Sequence, residues 1–171
     1  TNVALFGLDS RENDLGKGNR SDTIIIASLN NDTKEVKLVS IYRDTLLELD
    51  DGSYNKANSA YSFGGPEGAV SLINRNLDMN IEKYVTVNFN ALVDVIDAVG
   101  GLDLELTHDE VVHMNNYCVE TSKVTGKSYE KIEPEVEGTY HLNGVQAVSY
   151  SRIRYTEGGD FKRAERQRLV L

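Results

Sequence analysis

The sequence predicts an α/β protein, a single-domain α-β-α sandwich around a mixed central sheet. Three observations predict it. Short runs of β-branched and apolar residues alternate along the chain with stretches whose apolar residues fall at helical spacing. The 171 residues suffice for one buried core without disulfide or metal staples, and the single cysteine, Cys118, excludes an intrachain disulfide. No run of about 18 apolar residues occurs, so nothing here reads as a membrane span. With no signal-peptide pattern in residues 1–171, an abrupt opening on an apolar strand and a helical pattern still running at Leu171, the sequence reads as a piece of a longer protein.

In order, residues 3–8 form a short apolar strand that delivers Asp9, Ser10 and Arg11 at its tip. Residues 13–19, polar with two glycines, read as a loop. Arg20, Ser21 and Asp22 then lead into Thr23-Ile24-Ile25-Ile26-Ala27-Ser28-Leu29, a β-branched run suited to a central strand buried on both faces. After the turn at Asn30-Asn31-Asp32-Thr33, residues 36–41 return as a third strand ending in Tyr42-Arg43-Asp44. If these strands share a sheet their charged ends converge, as ligand sites at strand ends of α/β folds do.

A polar loop precedes a short helix over residues 56–65 with a glycine stop at Gly64-Gly65, and Pro66 opens a second helix at its tolerated first position. Its inner face carries Ala69, Leu72, Ile73 and Leu77. Residues 85–89 read as a strand, and Leu92, Val93, Ile96 and Val99 as a helix ended by Gly100-Gly101. Residues 102–106 alternate apolar and acidic, an edge strand, and Thr107-His108-Asp109-Glu110 is a capping-box pattern for a helix through Cys118. Residues 122–137 are polar and read as a flexible surface insertion. A short strand at 140–142 and a helix capped by Asn143-Gly144 complete the run to Tyr150.

The last twenty residues organise the chemistry. Gly158-Gly159-Asp160 predicts a turn with Asp160 as N-cap, and at about 100° per residue Asp160, Arg163 and Gln167 share one arc of the helix that follows. Arg152 and Arg154, two apart, point to one side if their segment is extended. Guanidinium forks match phosphate oxygens bidentately, so this grouping reads as a phosphate or pyrophosphate site; a solvated, salt-bridged helix end is the alternative. The net charge of −9 excludes a nucleic-acid footprint, yet every arginine except Arg75 lies in residues 11–43 or 152–168. A local cationic pocket on an acidic body suits a small, multiply charged anion.

Asp9 and Asp22, each at a strand end beside an arginine, offer the hard oxygens Mg2+ prefers to share with phosphates and water; pairing with Arg11 and Arg20 is the alternative. Other constellations are weaker. His108 and His113, five apart on one helix, face different sides. Ser28, Ser40 and His141 lack a nucleophile-elbow motif, and Cys118 falls on an apolar helix face as a small core residue.

Several blocks, in order, resemble the LytR-CpsA-Psr domain across nearly the whole of residues 1–171. They are Arg20-Ser21-Asp22-Thr23, Ser40-Ile41-Tyr42-Arg43-Asp44, Lys56-Ala57-Asn58-Ser59-Ala60-Tyr61 with Gly64-Gly65, Asp97-Ala98-Val99-Gly100-Gly101, and Arg152-Ile153-Arg154 with Asp160, Arg163 and Gln167. The resemblance implies a Mg2+- or Mn2+-dependent phosphotransferase at the extracytoplasmic face of the cell membrane of Gram-positive bacteria. A missing N-terminal transmembrane anchor would hold it there. It would move a glycopolymer such as teichoic acid or capsule from a polyprenyl-pyrophosphate donor to a peptidoglycan acceptor, with pyrophosphatase activity as a side reaction. By position, Asp9 and Asp22 would hold the metal. Arg20, Arg43, Arg152, Arg154, Arg163 and Gln167 would bind pyrophosphate, and Asp160, with Arg43 and Arg163, would act in catalysis. Where the family carries proline before the arginine of the third-strand block, this chain has Tyr42, which relaxes the backbone at Arg43.

The chemistry suits these residue types independently, since displacement at a pyrophosphate needs charge neutralised on the leaving group and an acceptor hydroxyl in line. A carboxylate among guanidiniums is a weak base, so Asp160 is expected to position the acceptor more than to abstract its proton. The apolar carrier tail implied by the family would need a greasy lining, for which residues 85–99 and the Pro66 helix compete with an ordinary core role. A non-catalytic polyprenyl-phosphate or pyrophosphate binder is the rival class. A transcriptional regulator is opposed by the acidic balance and the lack of a helix-turn-helix pattern.

Overall fold

The computed structural model describes residues 1–10 and 14–171. Arg11 and Asn13, the first beside Asp9 and the second at the start of the polar loop, lie outside the described residues. The fold is α/β with a mixed central sheet, as expected, and the chain divides into two compact units, Thr1–Asn88 and Phe89–Leu171.

The first unit runs β1 (Asn2–Leu8), β2 (Ser21–Leu29), β3 (Val36–Ser40), β4 (Leu46–Glu48), β5 (Tyr54–Lys56), α1 (Ser59–Leu77) and β6 (Lys83–Val87). Its main sheet has the order β3-β2-β1-β6, antiparallel at the first two pairings and parallel between β1 and β6. The three consecutive isoleucines of β2, Ile24, Ile25 and Ile26, are 2%, 0% and 3% exposed, so both faces of this strand are covered, which is what a β-branched run without polar alternation requires. Phe6 of β1 meets the buried Tyr61 of α1 edge-on at 5.4 Å, joining sheet to helix in one core with Ala69, Leu72 and Ile73.

Two details differ from the sequence expectation. The polar stretch before the helix contains the β4-β5 hairpin, whose three-residue strands are too short to show alternation beside Asp50-Asp51-Gly52-Ser53, and because Lys56 ends β5 the helix expected from residue 56 starts at Ser59. The two helices expected on either side of Gly64-Gly65 form one element, broken inside at Gly65, whose φ of 67° and ψ of −160° are open to glycine and costly for any other residue. Pro66 restarts the helix where its missing N–H costs nothing.

The second unit runs α2 (Phe89–Ala98), β7 (Leu102–Leu106), α3 (His108–Thr125), β8 (Gly138–Leu142), α4 (Gly144–Ser151) and α5 (Gly159–Val170). Phe89, expected at the end of a strand, opens α2 instead. The capping box predicted at Thr107 and Glu110 is formed, and Asn143 and Gln146 form a second one for α4. Residues 122–137 are not a loose insertion: α3 continues to Thr125, and the rest is tied down by side chains. The Asn115 amide donates to the Ile132 carbonyl (3.0 Å) and accepts from its N–H (3.2 Å), Gln146 donates to the Glu130 carbonyl (2.8 Å), and Tyr129 and Ile132 pack on the core. A polar composition marks such a segment as loop because its anchors lie elsewhere in the chain.

Every residue of α4 is buried, and its first N–H, at Gly144, donates to Asp97 Oδ1 at 2.7 Å. The helix starts hard against α2: a Cβ on Gly144 would stand 2.4 Å from the Val93 carbonyl oxygen and 2.9 Å from Asp97 Oδ1. Backbone cannot yield as a flexible side chain does, so Gly144→Ala is expected to destabilise the protein by about 1–3 kcal/mol in chemical denaturation. An unchanged midpoint would show that α4 is free to shift.

Candidate functional site

In the first unit the site residues gather where β1 and β3 end and β2 begins. β1 and β2 pair as Gly7 with Thr23 and Leu8 with Ser21, so Asp22 is the extra residue of a bulge and Asp9 leaves the sheet from the neighbouring strand end. The β2-β3 ladder continues past Ser40 through the Ile41 N–H to the Ile24 carbonyl (2.9 Å). That brings Arg43 level with Asp22, and Arg43 Nη1 meets Asp22 Oδ1 at 2.8 Å, both side chains largely shielded. Asp22 therefore pairs with Arg43 rather than with Arg20, the alternative open from spacing. Tyr42 supplies an ordinary turn here, its carbonyl accepting from Thr45 N–H at 2.9 Å.

The Arg43 turn is backed by the Lys56-to-Tyr61 block: Asn58 N–H donates to the Arg43 carbonyl (3.1 Å) and Ala57 N–H to the Thr45 carbonyl (2.8 Å). Lys56 holds Asp44 at 2.6 Å, and this ion pair, chiefly through its hydrogen bond, lowers the Asp44 pKa. Arg20 is exposed at the end of the loop before β2, which Asn19 closes with bonds to the Asp14 and Gly16 carbonyls. The Tyr61 hydroxyl fixes the same loop at the Leu15 carbonyl (2.7 Å).

In the second unit Arg152 is the C-cap of α4 in helical conformation (φ −89°, ψ −13°). The extended segment expected to put Arg152 and Arg154 on one side is thus absent, and Ile153 between them is 0% exposed. The Arg152 side chain, only 14% exposed, donates to Glu120 (2.8 Å) and Thr121 (3.0 Å) and lies over the rings of Phe89 (4.6 Å) and Tyr117 (5.3 Å). Arg154 follows in the turn and is half-buried.

Asp160 is not the N-cap. Gly158 and Gly159 both take positive φ (91° and 49°), so the helix is entered at Gly158 with no side-chain cap and Asp160 lies in its first turn. A carboxylate there still faces the positive end of the helix dipole. α5 spans Asp160, Arg163 and Gln167, so their shared arc holds; Asp160 is exposed and the other two are half-buried.

Arg166 escaped sequence reading. Counted only as one more arginine, it is 4% exposed and pairs with Glu110 at 2.8 Å, a partner 56 positions away that no local pattern could indicate. Elsewhere, Cys118 is fully buried and its thiol is pushed up to about 11 by burial, so it is core and not a nucleophile. His141 pairs with Asp103 across the β7-β8 ladder at 2.7 Å, which raises its pKa, and Ser28 and Ser40 sit in regular strand pairings with no elbow. The apolar residues weighed as a carrier-tail lining divide: Ala69, Leu72, Ile73, Val93 and Ile96 are core, while Val85, Val95 and Val99 are exposed. Among the described residues no three His, Cys, Asp or Glu side chains cluster as a metal cage.

The model of the LytR_cpsA_psr family matches residues 1–171, and the chain belongs to that family. It is 38% identical over 160 residues to the polyisoprenyl-teichoic acid–peptidoglycan teichoic acid transferase TagV of Bacillus subtilis (strain 168), covering 91% of this chain and 38% of that protein. It is 34% identical over 171 residues to the transferase of the same type called TagU from Enterococcus faecalis (strain ATCC 700802 / V583), covering 99% of this chain and 50% of that protein. The chain thus spans half or less of the length of these curated relatives. Among solved structures it resembles the LytR-CPS2A-psr family protein YwtF (TagT) with bound octaprenyl pyrophosphate lipid. That likeness has a TM-score of 0.72 and 26% identity over 98% of this chain and 60% of the other.

Proposed function

We propose that this chain is the phosphotransferase part of a cell-wall ligase that moves a glycopolymer, teichoic acid in the first instance, from a polyprenyl-pyrophosphate carrier to peptidoglycan. One observation carries the reading. Asp160, Arg163 and Gln167 share one arc of α5 and Arg154 lies in the turn that leads into it, in a chain whose fold is shared over 98% of its length with a protein solved with octaprenyl pyrophosphate. Relatives named as teichoic acid transferases supply the donor and acceptor classes.

In this reading Arg20, Arg43, Arg152, Arg154, Arg163 and Gln167 bind the pyrophosphate. Their guanidiniums offset the charge that collects on the leaving polyprenyl phosphate, the main electrostatic demand of phosphoryl transfer. An acceptor sugar hydroxyl attacks the phosphorus that bears the glycan. A new P–O bond forms, the bond to the bridging oxygen breaks, polyprenyl phosphate departs with that oxygen, and the acceptor proton passes to Asp160 or through it to water. Water in the acceptor's place would give the pyrophosphatase side reaction. The work belongs to the extracytoplasmic face of the membrane, with anchoring by a segment outside this chain; among the described residues no helix is long and apolar enough to cross a membrane.

Asp9 and Asp22 fit Mg2+ or Mn2+. They are two carboxylates at the ends of adjacent strands, and carboxylate oxygens are the hard ligands these cations take. Mg2+ commonly takes one or two protein carboxylates and completes its shell with water and phosphate oxygens, and a metal so held would neutralise pyrophosphate charge. Asp9→Ala and Asp22→Ala are each expected to raise the Mg2+ concentration at which transfer is half-maximal. Unchanged metal dependence in both variants would remove the pair from the site.

Asp160 separates this reading from a non-catalytic polyprenyl-pyrophosphate binder. Asp160→Asn keeps the shape and removes a charge that repels the donor, so lipid binding should hold or tighten. Single-turnover transfer to a peptidoglycan fragment should fall by about 10²–10⁴-fold. Normal transfer would leave Asp160 without a catalytic part, and equal losses of binding and transfer would make it a brace for Arg163.

A further inference from the structure

We propose that Arg166 is a positioning residue for the anion site, a buried clamp that aims Arg154 by holding the backbone on either side of it. The Arg166 guanidinium uses three nitrogens in three directions. Nε donates to Glu110 Oε1 (2.8 Å), Nη2 to Thr156 Oγ1 (2.7 Å), and Nη1 reaches the Ile153 carbonyl (3.4 Å). Ile153 and Thr156 bracket Arg154, so the two bonds to this turn grip it before and after that half-buried residue. Ile153 is itself fully buried, which leaves Arg154 little backbone freedom between fixed points.

The far side of the clamp is equally fixed. Glu110 is 14% exposed, and its other oxygen, Oε2, accepts the Thr107 N–H at 3.0 Å as the return bond of the α3 capping box. Arg166 rides on α5, the helix that carries Asp160, Arg163 and Gln167, and its guanidinium lies 5.9 Å from the centre of the Tyr150 ring on α4. One side chain thus links α3, α4, α5 and the turn.

Stability alone is a poor reason for this arrangement. A buried ion pair loses in desolvation much of what it gains in attraction, and well-packed apolar residues commonly serve stability as well. What apolar packing lacks is direction. Two N–H bonds to the 153–156 turn, from a guanidinium whose third bond fixes it to Glu110, set where that turn lies, and a small displacement of a phosphate-binding guanidinium is enough to lose a bidentate contact.

The inference rests on the pyrophosphate reading of Arg154, and its test separates the two. Inorganic pyrophosphate and geranylgeranyl pyrophosphate are titrated calorimetrically into the protein and into Arg154→Ala, Thr156→Val, Thr156→Ser, Arg166→Lys and the Arg154→Ala/Thr156→Val double variant, with Tm measured for each. Thr156→Val is isosteric and leaves the Glu110–Arg166 pair intact, so it should fold. It is expected to weaken binding about tenfold, the scale of one charge-assisted hydrogen bond. Thr156→Ser keeps the hydroxyl and should bind normally. Arg166→Lys keeps the charge against Glu110, loses the fork, and should weaken binding as Thr156→Val does. The double variant should bind no more weakly than Arg154→Ala alone, because Thr156 acts through Arg154. Full affinity in Thr156→Val and Arg166→Lys beside a weakened Arg154→Ala would overturn the clamp and leave the pyrophosphate site standing, as would strictly additive losses. Full affinity in Arg154→Ala would overturn both.

Discussion

Guanidinium groups repel one another, and a chain that gathers arginines must give each a counter-charge that holds it without consuming it. The strongly acidic composition meets that need in specific places. Asp22 holds Arg43, Glu120 holds Arg152, and Glu110 holds Arg166, each at 2.8 Å. Each of these carboxylates is anchored by regular structure: Asp22 by the β1-β2 bulge, and Glu120 and Glu110 by α3, the latter through its capping box. The net charge of −9 is therefore partly scaffold, and the cationic character of the arginine-rich segments is local.

Backbone geometry does the rest of the placing. Ladder register levels Arg43 with Asp22, and the two positive-φ glycines at Gly158 and Gly159 start α5 early enough to put Asp160 in its first turn. In the second unit, α4 is pinned at its first residue by Asp97, the opening residue of the Asp97-to-Gly101 block, and at its C-cap by Arg152 packed on Phe89 and Tyr117. Blocks that resemble the family at the level of sequence are in this way mechanical parts: Asp97 seats a helix, Asn58 backs a turn, and Tyr61 closes a loop.

Much of this was legible beforehand because it depends on local pattern. The β-branched run of β2, the Thr107 and Asn143 caps, the glycine stop at Gly100-Gly101 and the 160/163/167 arc all follow from periodicity and capping chemistry within a few residues. What escaped depends on contacts distant in sequence. Residues 126–137 are polar yet tied down through Asn115 and Gln146, Arg152 ends a helix because Glu120 and two rings receive it, and Arg166 looks like any surface arginine until Glu110 is seen beside it. The β4-β5 hairpin escaped for a different reason, since three-residue strands carry too few positions for a period of two to register.

The pyrophosphate group is the feature on which the functional reading turns, so the most direct measurement compares headgroups on one tail. Native mass spectrometry of the protein with geranylgeranyl pyrophosphate, geranylgeranyl monophosphate and geranylgeraniol, each at equal concentration and moderate salt, reports which is retained. Guanidiniums arranged for a pyrophosphate predict one-to-one retention of the pyrophosphate, weaker retention of the monophosphate and none of the alcohol. Equal retention of all three, or of none, would contradict an arginine-built pyrophosphate site.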